Sequence, residues 1–266
     1  MKNRLTDLVL SFSIVFFIST LLVTILIGLN WFLRLPSIAL IIVWCVASVL
    51  LIFILIVNPT KLLLSGLLRV RPPQEFVECF MKFYRKYEGD TRHMNIVLQV
   101  IEDEGYCAMF VQDLQKSYYV FSSKLANDWN EIDIESTVLY LLELQQNSYP
   151  LRDSCILVLA SMAERFIITS FVGAALIHLV RSHRHDAWYD SEAVRKMQFV
   201  QGYQNMLLKY KEGMSLMSGL PAAFAMNGVG DITKRGINHA LFAVHETIES
   251  RIEALDKDPL ASHGST

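Results

Sequence analysis

Two long apolar runs dominate the first quarter of the chain. The first extends from about Leu8 to Leu33 and the second from about Ile38 to Val57. Each run is long enough to cross the hydrocarbon of a bilayer, which takes roughly 20 residues. Because the second run follows the first directly, the pattern favours a retained transmembrane helical hairpin within residues 1–71 over a cleaved signal peptide.

The basic residues near these runs predict an orientation. Only Arg34 lies between the two runs, and the other basic residues lie outside them: Lys2, Arg4, Lys61, Arg69, Arg71, Lys82, Arg85 and Lys86. Lys and Arg are concentrated on the cytoplasmic side of membrane proteins. The expected location is therefore the inner, cytoplasmic membrane, with a multi-pass chain whose main domain is cytosolic.

After Pro72 and Pro73 the pattern changes to that of a folded domain. Residues Gln74 to Glu88 have apolar positions at helical spacing among charges, which predicts an amphipathic helix. Three short runs rich in strand-forming residues follow at Asn95–Ile101, Cys107–Gln112 and Ser117–Ser122. We expect them to form a small antiparallel three-stranded sheet.

A largely apolar helix is predicted from Asp133 to about Asn147, with Pro150 ending it. Its apolar residues cover most of its circumference, which indicates a buried helix. Further helices are predicted at Ser191–Lys211 and His239–Leu255, joined by a loop at 213–236.

An apolar stretch at 155–180 interrupts the predicted cytosolic part. Glu164 and Arg165 lie at its centre. The stretch could be a single span with an ion pair at mid-depth, a long helix lying against the membrane or the hairpin, or two short re-entrant pieces. Charges in mid-membrane are costly, so one free span is the least favoured of the three.

The predicted fold class is α+β and mostly helical. Residues 1–71 form the two-span anchor, residues 72–255 form a cytosolic domain with a small three-stranded sheet, and residues 256–266 form a disordered tail.

Composition and charge narrow the partners. Of 266 residues, 53% are hydrophobic, which agrees with contact with a lipid bilayer, and the formal net charge is -2. Without a cationic excess, nucleic acid is not expected as a partner. The cysteines form no C-x-x-C pair and are interpreted as reduced packing residues: Cys45, Cys79, Cys107 and Cys155.

The order of these elements is similar to that of the HtpX-type membrane zinc metallopeptidases, and several short stretches resemble that family. Residues 182–190 resemble its Glu-x-x-x-Asp helix, with Asp186 in place of the glutamate that is the third zinc ligand and Asp190 in place of the aspartate. Residues 240–255 resemble its closing pattern, with His245 and Arg251 at the family's His and Arg. Val120–Ser123 resembles the last strand of its sheet.

The resemblance also shows what this chain lacks. The family's chemistry needs two His at i and i+4 that bind one zinc, with a Glu beside the first His that takes a proton from the metal-bound water. The resemblance places Tyr140 and Leu144 at the two His positions and Leu141 at the Glu. It therefore implies a zincin-like domain with no catalytic residues and no cofactor, in which Asp186 alone could still coordinate a metal.

Three other groups of residues have candidate chemistry. Asp186 with His183 and His185 could form a remodelled zinc or nickel site, although basic residues after an apolar stretch favour a collar of lipid headgroups. The pair His245 and Glu249 has metal-ligand spacing but no second His. Methionines at 206, 214, 217 and 226 could line an adaptable partner-binding surface or fill the core.

The resemblance implies a membrane-anchored pseudoenzyme. We expect it to bind a polypeptide, membrane protein or protease partner in membrane protein quality control. The alternative is an active membrane zinc metalloendopeptidase with a rearranged metal site at His183, His185 and Asp186.

Overall fold

The computed structural model describes residues 9–13, 68–88, 95–147, 149–164, 186–212 and 247–257, together with isolated positions between residues 16 and 64. The elements in chain order are β1 (Arg69–Val70), α1 (Gln74–Glu88), β2 (Asn95–Ile101), β3 (Ala108–Gln112), β4 (Lys116–Ser122), α2 (Ser123–Asp128), α3 (Glu131–Asn147), α4 (Pro150–Glu164), α5 (Asp186–Met197), α6 (Val200–Glu212) and α7 (Ile248–Lys257).

The described chain is mostly helical with a small mixed sheet of four strands in the order β1-β2-β4-β3. This corrects the predicted antiparallel three-stranded sheet, because β2 pairs with β4 in parallel and only the β1–β2 and β3–β4 pairs are antiparallel. β1 was not predicted at all.

Two connections explain the order of the strands. Asp113 accepts hydrogen bonds from the backbone N–H groups of Gln115 and Lys116, which closes a tight turn between β3 and β4. The connection from β2 to β3 instead passes the end of β4, where Ser123 Oγ donates to the carbonyl oxygen of Asp103 at 3.0 Å. β4 is thereby placed between β2 and β3.

The predicted helix Gln74–Glu88 is confirmed as α1. Its aromatic face packs against β4, with the rings of Phe80 and Tyr119 5.3 Å apart and those of Phe76 and Phe121 5.1 Å apart. Aromatic rings bury large apolar areas, so this contact forms one half of the core.

The helix α3 lies at the centre of the described chain and contacts α1, β3, α5 and α6. The side chain of Asn130 caps it by accepting from the N–H of Asp133 at 2.9 Å. Every residue from Ser136 to Gln145 is buried, which agrees with the apolar pattern around the whole helix. The helix ends at Asn147, and Pro150 is the first residue of α4.

The predicted helix Ser191–Lys211 is two helices, α5 and α6, separated at Gln198. This residue has φ of 60°, and its N–H donates to the carbonyl oxygen of Val194 at 2.7 Å. A left-handed residue ends a helix, since it turns the chain away from the axis. The sequence lacks the glycine that usually signals this position.

Among the described residues, no helix has the length and apolar character needed to cross a membrane. This finding corrects the predicted transmembrane hairpin and the predicted multi-pass location in the inner membrane. The longest described helix, α3, has 17 residues and carries acidic groups, whereas a span needs about 20 apolar residues.

Several other predictions fall partly or wholly outside the described residues. They concern most of the two apolar runs, residues 165–180 of the interrupted stretch, the loop 213–236 and most of the tail. Of the predicted helix His239–Leu255, the structure describes the last part, as α7.

Candidate functional site

The three residues that the resemblance would place at catalytic positions lie on the buried helix α3. Tyr140 is 2% exposed, and Leu141 and Leu144 are as deeply buried. Leucine side chains have no atom that can bind a metal or accept a proton. Two of the three positions are therefore ordinary core positions.

Helix α5 brings Asp186 next to Tyr140. The hydroxyl of Tyr140 donates a hydrogen bond to Asp186 Oδ1 at 2.8 Å, and Asp186 is 1% exposed. Asp186 is also the first residue of α5, where the helix dipole stabilises a negative charge. The structure thus joins Tyr140 and Asp186, two residues 46 positions apart, by a direct bond.

A catalytic zinc site needs three protein ligands with nitrogen, sulfur or carboxylate donors and one open position. In the part of the chain that the structure describes, no three His, Cys, Asp or Glu side chains come together in a group that could hold a metal. At Asp186, the neighbouring phenol of Tyr140 does not supply the missing donors. These residues do not fit a zinc ion.

Next to this pair lies a buried ion pair between α5 and α7. The guanidinium of Arg251 donates from Nε to Asp190 Oδ2 and from Nη2 to Asp190 Oδ1, each at 2.7 Å. Tyr203 on α6 donates to Asp190 Oδ1, also at 2.7 Å. A bidentate pair of this kind fixes both distance and orientation. Three helices are therefore held together at one carboxylate.

The ion pair also contacts the Tyr140–Asp186 pair. The guanidinium carbon of Arg251 lies 4.8 Å from the centre of the Tyr140 ring, within the range of a cation–π contact. Burial opposes the charge of Arg251, but the nearby Asp190 outweighs it and holds the pKa of the guanidinium well above its usual value. Burial and then the charge of Asp190 raise the pKa of Tyr203 well above its usual value. We call Tyr140, Asp186, Asp190, Tyr203 and Arg251 the buried polar centre.

The cavity beside the buried polar centre is small. It has a volume of about 10 Å³ and is lined by Thr137, Tyr140, Met206, Leu207, Tyr210 and Arg251. A cavity of this size is close to the smallest that holds one water molecule. It offers no room for a peptide side chain.

The structure describes some of the remaining candidate residues and not others. Asp186 and Asp190 lie four residues apart on α5, as the resemblance implies, and Asp190 contacts Arg251. His183, His185 and His245 lie outside the described residues. Of the four methionines, the structure describes Met206, which lies on α6 with its side chain buried in the core.

Sequence reasoning missed Tyr203, and it missed two ion pairs that hold α3. Lys196 on α5 pairs with the buried Glu143, and Lys209 on α6 pairs with the buried Asp133. The acidic residues were a usable signal, because a carboxylate within an otherwise apolar helix needs a partner. The identity of the partner was not visible, since each lysine is more than 50 residues away.

Comparisons of the chain with protein-family models, with curated proteins and with solved structures find no match.

Proposed function

We propose that this chain is a non-catalytic relative of the HtpX-type peptidases, which binds a polypeptide or a protease partner in protein quality control. The observation that carries the proposal is the hydrogen bond from Tyr140 to Asp186 in the buried interior. The resemblance would place two of the family's zinc ligands at the residues that form this hydrogen bond. Asp186 accepts from a buried phenol, and the leucines at the other two positions have no group that could activate a water.

The second support is the retained frame around this position. The ion pair of Asp190 with Arg251 joins the two stretches through which the chain resembles the family, the Glu-x-x-x-Asp helix and the closing pattern. A fold that keeps its frame and has lost its catalytic groups fits a protein whose remaining role is binding.

The alternative of a rearranged metal site gains no support from the described residues. Of its three proposed ligands, only Asp186 is described, and Tyr140 donates to it. We therefore propose no catalytic step.

The proposal is tested with the full chain and an unfolded polypeptide. Fluorescently labelled reduced casein is titrated with the protein, once with a chelator and once with added zinc, and both anisotropy and cleavage are followed. We expect saturable binding and intact casein under both conditions. Zinc-dependent cleavage that is lost in Asp186→Ala would show an active peptidase, and absence of binding would show that the chain does not act by holding polypeptides.

A further inference from the structure

Strand β2 is paired differently along its two edges. It pairs with β4 over its whole length, from Asn95 to Ile101. On its other side it pairs with β1 only at Val100 and Ile101, and the N–H of Glu102 donates to the carbonyl oxygen of Leu68 at 2.9 Å. Residues 95–99 therefore have no strand beside them on this side within the described chain.

The sequence explains why β1 stops where it does. Val70 lies opposite Val100, so in the same antiparallel register Pro72 would lie opposite Leu98. Proline has no N–H to donate to that residue, and prolines therefore end strands at sheet edges. Pro72 and Pro73 thus leave the outer edge of β2 open.

The open edge presents backbone groups of two residues. Glu102 faces β1, and the direction of backbone groups alternates along a strand, so the N–H and C=O groups of Leu98 and Ile96 point to the same outer side. Neither residue has a hydrogen-bond partner on that side among the described residues. Two donors and two acceptors at strand spacing are what an added extended backbone would pair with.

The side chains at this edge are suited to an apolar partner. Ile96, Val97 and Leu98 are half-buried, and no residue of β2 carries a charge. Natural proteins usually protect an open edge with charges or cover it. The opposite edge of this sheet is covered, since the N–H of Gln112 in β3 donates to Ser154 Oγ of α4 at 3.1 Å.

Basic side chains flank the open edge. Arg69 and Arg71 are exposed at one end, and Lys116, which lies opposite Asn95, is exposed at the other. None of the three forms an ion pair with another described residue. The acidic Glu102 follows β2 at the end where β1 already covers this edge, so it lies outside the open part at residues 95–99. Acidic residues on either side of an extended segment would complement this arrangement.

The same charges disfavour a second copy of the chain. Antiparallel pairing of two β2 strands about Val97 would place Asn95 of one copy opposite Gln99 of the other. It would thereby bring the Lys116 end of one copy to the Arg71 end of its partner, where like charges repel.

We propose that the open edge of β2 at residues 95–99 binds an extended polypeptide segment with an apolar centre and acidic flanks, which adds a strand to the sheet. The inference rests on the proposed function, since it names the surface and the chemistry of the polypeptide partner. It places binding on the sheet and not at the buried polar centre.

The test uses the full chain and a synthetic peptide with alternating Val and Thr between terminal Glu residues. We expect saturable binding together with slowed hydrogen exchange at the amides of Ile96 and Leu98. A peptide with Lys in place of Glu should bind at least tenfold more weakly. N-methylation of the peptide amides on one alternating set should abolish binding, and methylation of the other set should not.

Two variants locate the site on the protein. Leu98→Pro removes one outward N–H without touching the ladder to β4, and Arg71→Glu reverses one flanking charge. Each should weaken binding by about fivefold or more, corresponding to about one hydrogen bond or charge contact. The control is Lys257→Glu at the exposed end of α7, which should bind as the wild type does. If Leu98→Pro fails to fold, Arg71→Glu with the exchange measurement decides the question.

Three outcomes would overturn the inference. They are unchanged binding in both variants, protection at other amides alone, and concentration-dependent self-association that protects Ile96 and Leu98 without any peptide. Casein binding that persists in the two variants would reject this edge and leave the proposed function standing. Zinc-dependent cleavage would reject the proposed function itself.

Discussion

The buried polar centre and the open edge of β2 differ in how their polar groups are hydrogen-bonded. In the centre, Tyr140 donates to Asp186 and Arg251 donates twice to Asp190, all inside the core. At the edge, the backbone groups of Ile96 and Leu98 lack such partners among the described residues. Polar groups that satisfy one another stabilise a fold, whereas unsatisfied groups at the surface are available to a ligand.

Under the proposal above, this difference separates stability from binding. A metallopeptidase keeps an open coordination position in its interior, and a side chain there is available to chemistry. In this chain the buried polar centre holds a salt bridge and two phenols that satisfy one another's polar groups. We therefore expect substitutions in the buried polar centre to change stability strongly, and substitutions at the edge to change binding.

The largest effect is expected for Arg251→Ala. It leaves the fully buried carboxylate of Asp190 without its bidentate partner, which typically costs about 3–5 kcal/mol. Urea unfolding followed by circular dichroism measures the loss. Lys257→Ala on the same helix is the control and should change the free energy of unfolding by less than about 0.5 kcal/mol. A loss below about 1 kcal/mol for Arg251→Ala would show that the ion pair does not hold the helices.

A smaller effect is expected for Tyr140→Phe. The variant removes one hydroxyl and leaves Asp186 without this donor, at a cost of about 1–3 kcal/mol in the free energy of unfolding. Combining it with Asp186→Ala completes a double-mutant cycle. The two losses should fail to add by at least about 0.5 kcal/mol. Full additivity would mean that the two side chains do not interact in solution.

The smallest effect concerns alkaline pH. Burial raises the pKa of Tyr203 well above its usual value and that of Tyr84 to about 12. Above about pH 10 the unfolded chain releases phenolic protons that the folded chain keeps, so the folded state binds more protons and its stability falls as pH rises. Each such tyrosine contributes a loss of about 1.4 kcal/mol per pH unit in this range.

Tyr203→Phe isolates this contribution. Comparing unfolding at pH 8 and pH 11, the variant should lose about 1 kcal/mol less than the wild type over this interval. Tyr118→Phe, at a half-buried position on β4, should show a smaller difference. An equal loss in wild type and Tyr203→Phe would contradict the burial of this phenol.

The parts of the fold that depend on local periodicity could be predicted from the sequence. The aromatic spacing in residues 74–88 and the apolar circumference of α3 each indicate a helix, and both helices are present. The predicted antiparallel pairing of the three strands was wrong, because pairing depends on where the connection at 102–107 passes, which periodicity does not encode. The transmembrane hairpin was predicted from the length of the apolar runs alone, and no helix among the described residues has the length and apolar character needed to cross a membrane.

The candidate site was partly predictable for a different reason. Aligning short motifs placed Tyr140 and Asp186 at positions of one site, and the structure joins this pair. The same motifs singled out Asp190 and Arg251 without predicting that the two side chains form an ion pair. The role of Tyr203 could not be predicted, because the sequence does not show which residue a tyrosine on an amphipathic helix contacts. The open edge of β2 was not predicted. A strand of two residues such as β1 leaves no pattern in the sequence, so Pro72 could not be recognised as the residue that ends it.

Helices α3 and α5 form a hydrogen-bonded core at the position where the resemblance would place a zinc site, and zinc stoichiometry tests this most directly. Purified full-length wild type is compared with Tyr140→His/Leu144→His, which introduces two imidazoles at i and i+4 on α3, one of them at the position that contacts Asp186. After equilibration with zinc and removal of excess, elemental analysis should find about one zinc per chain in the double variant and none in the wild type. One zinc per wild-type chain that is lost in Asp186→Ala would contradict the account.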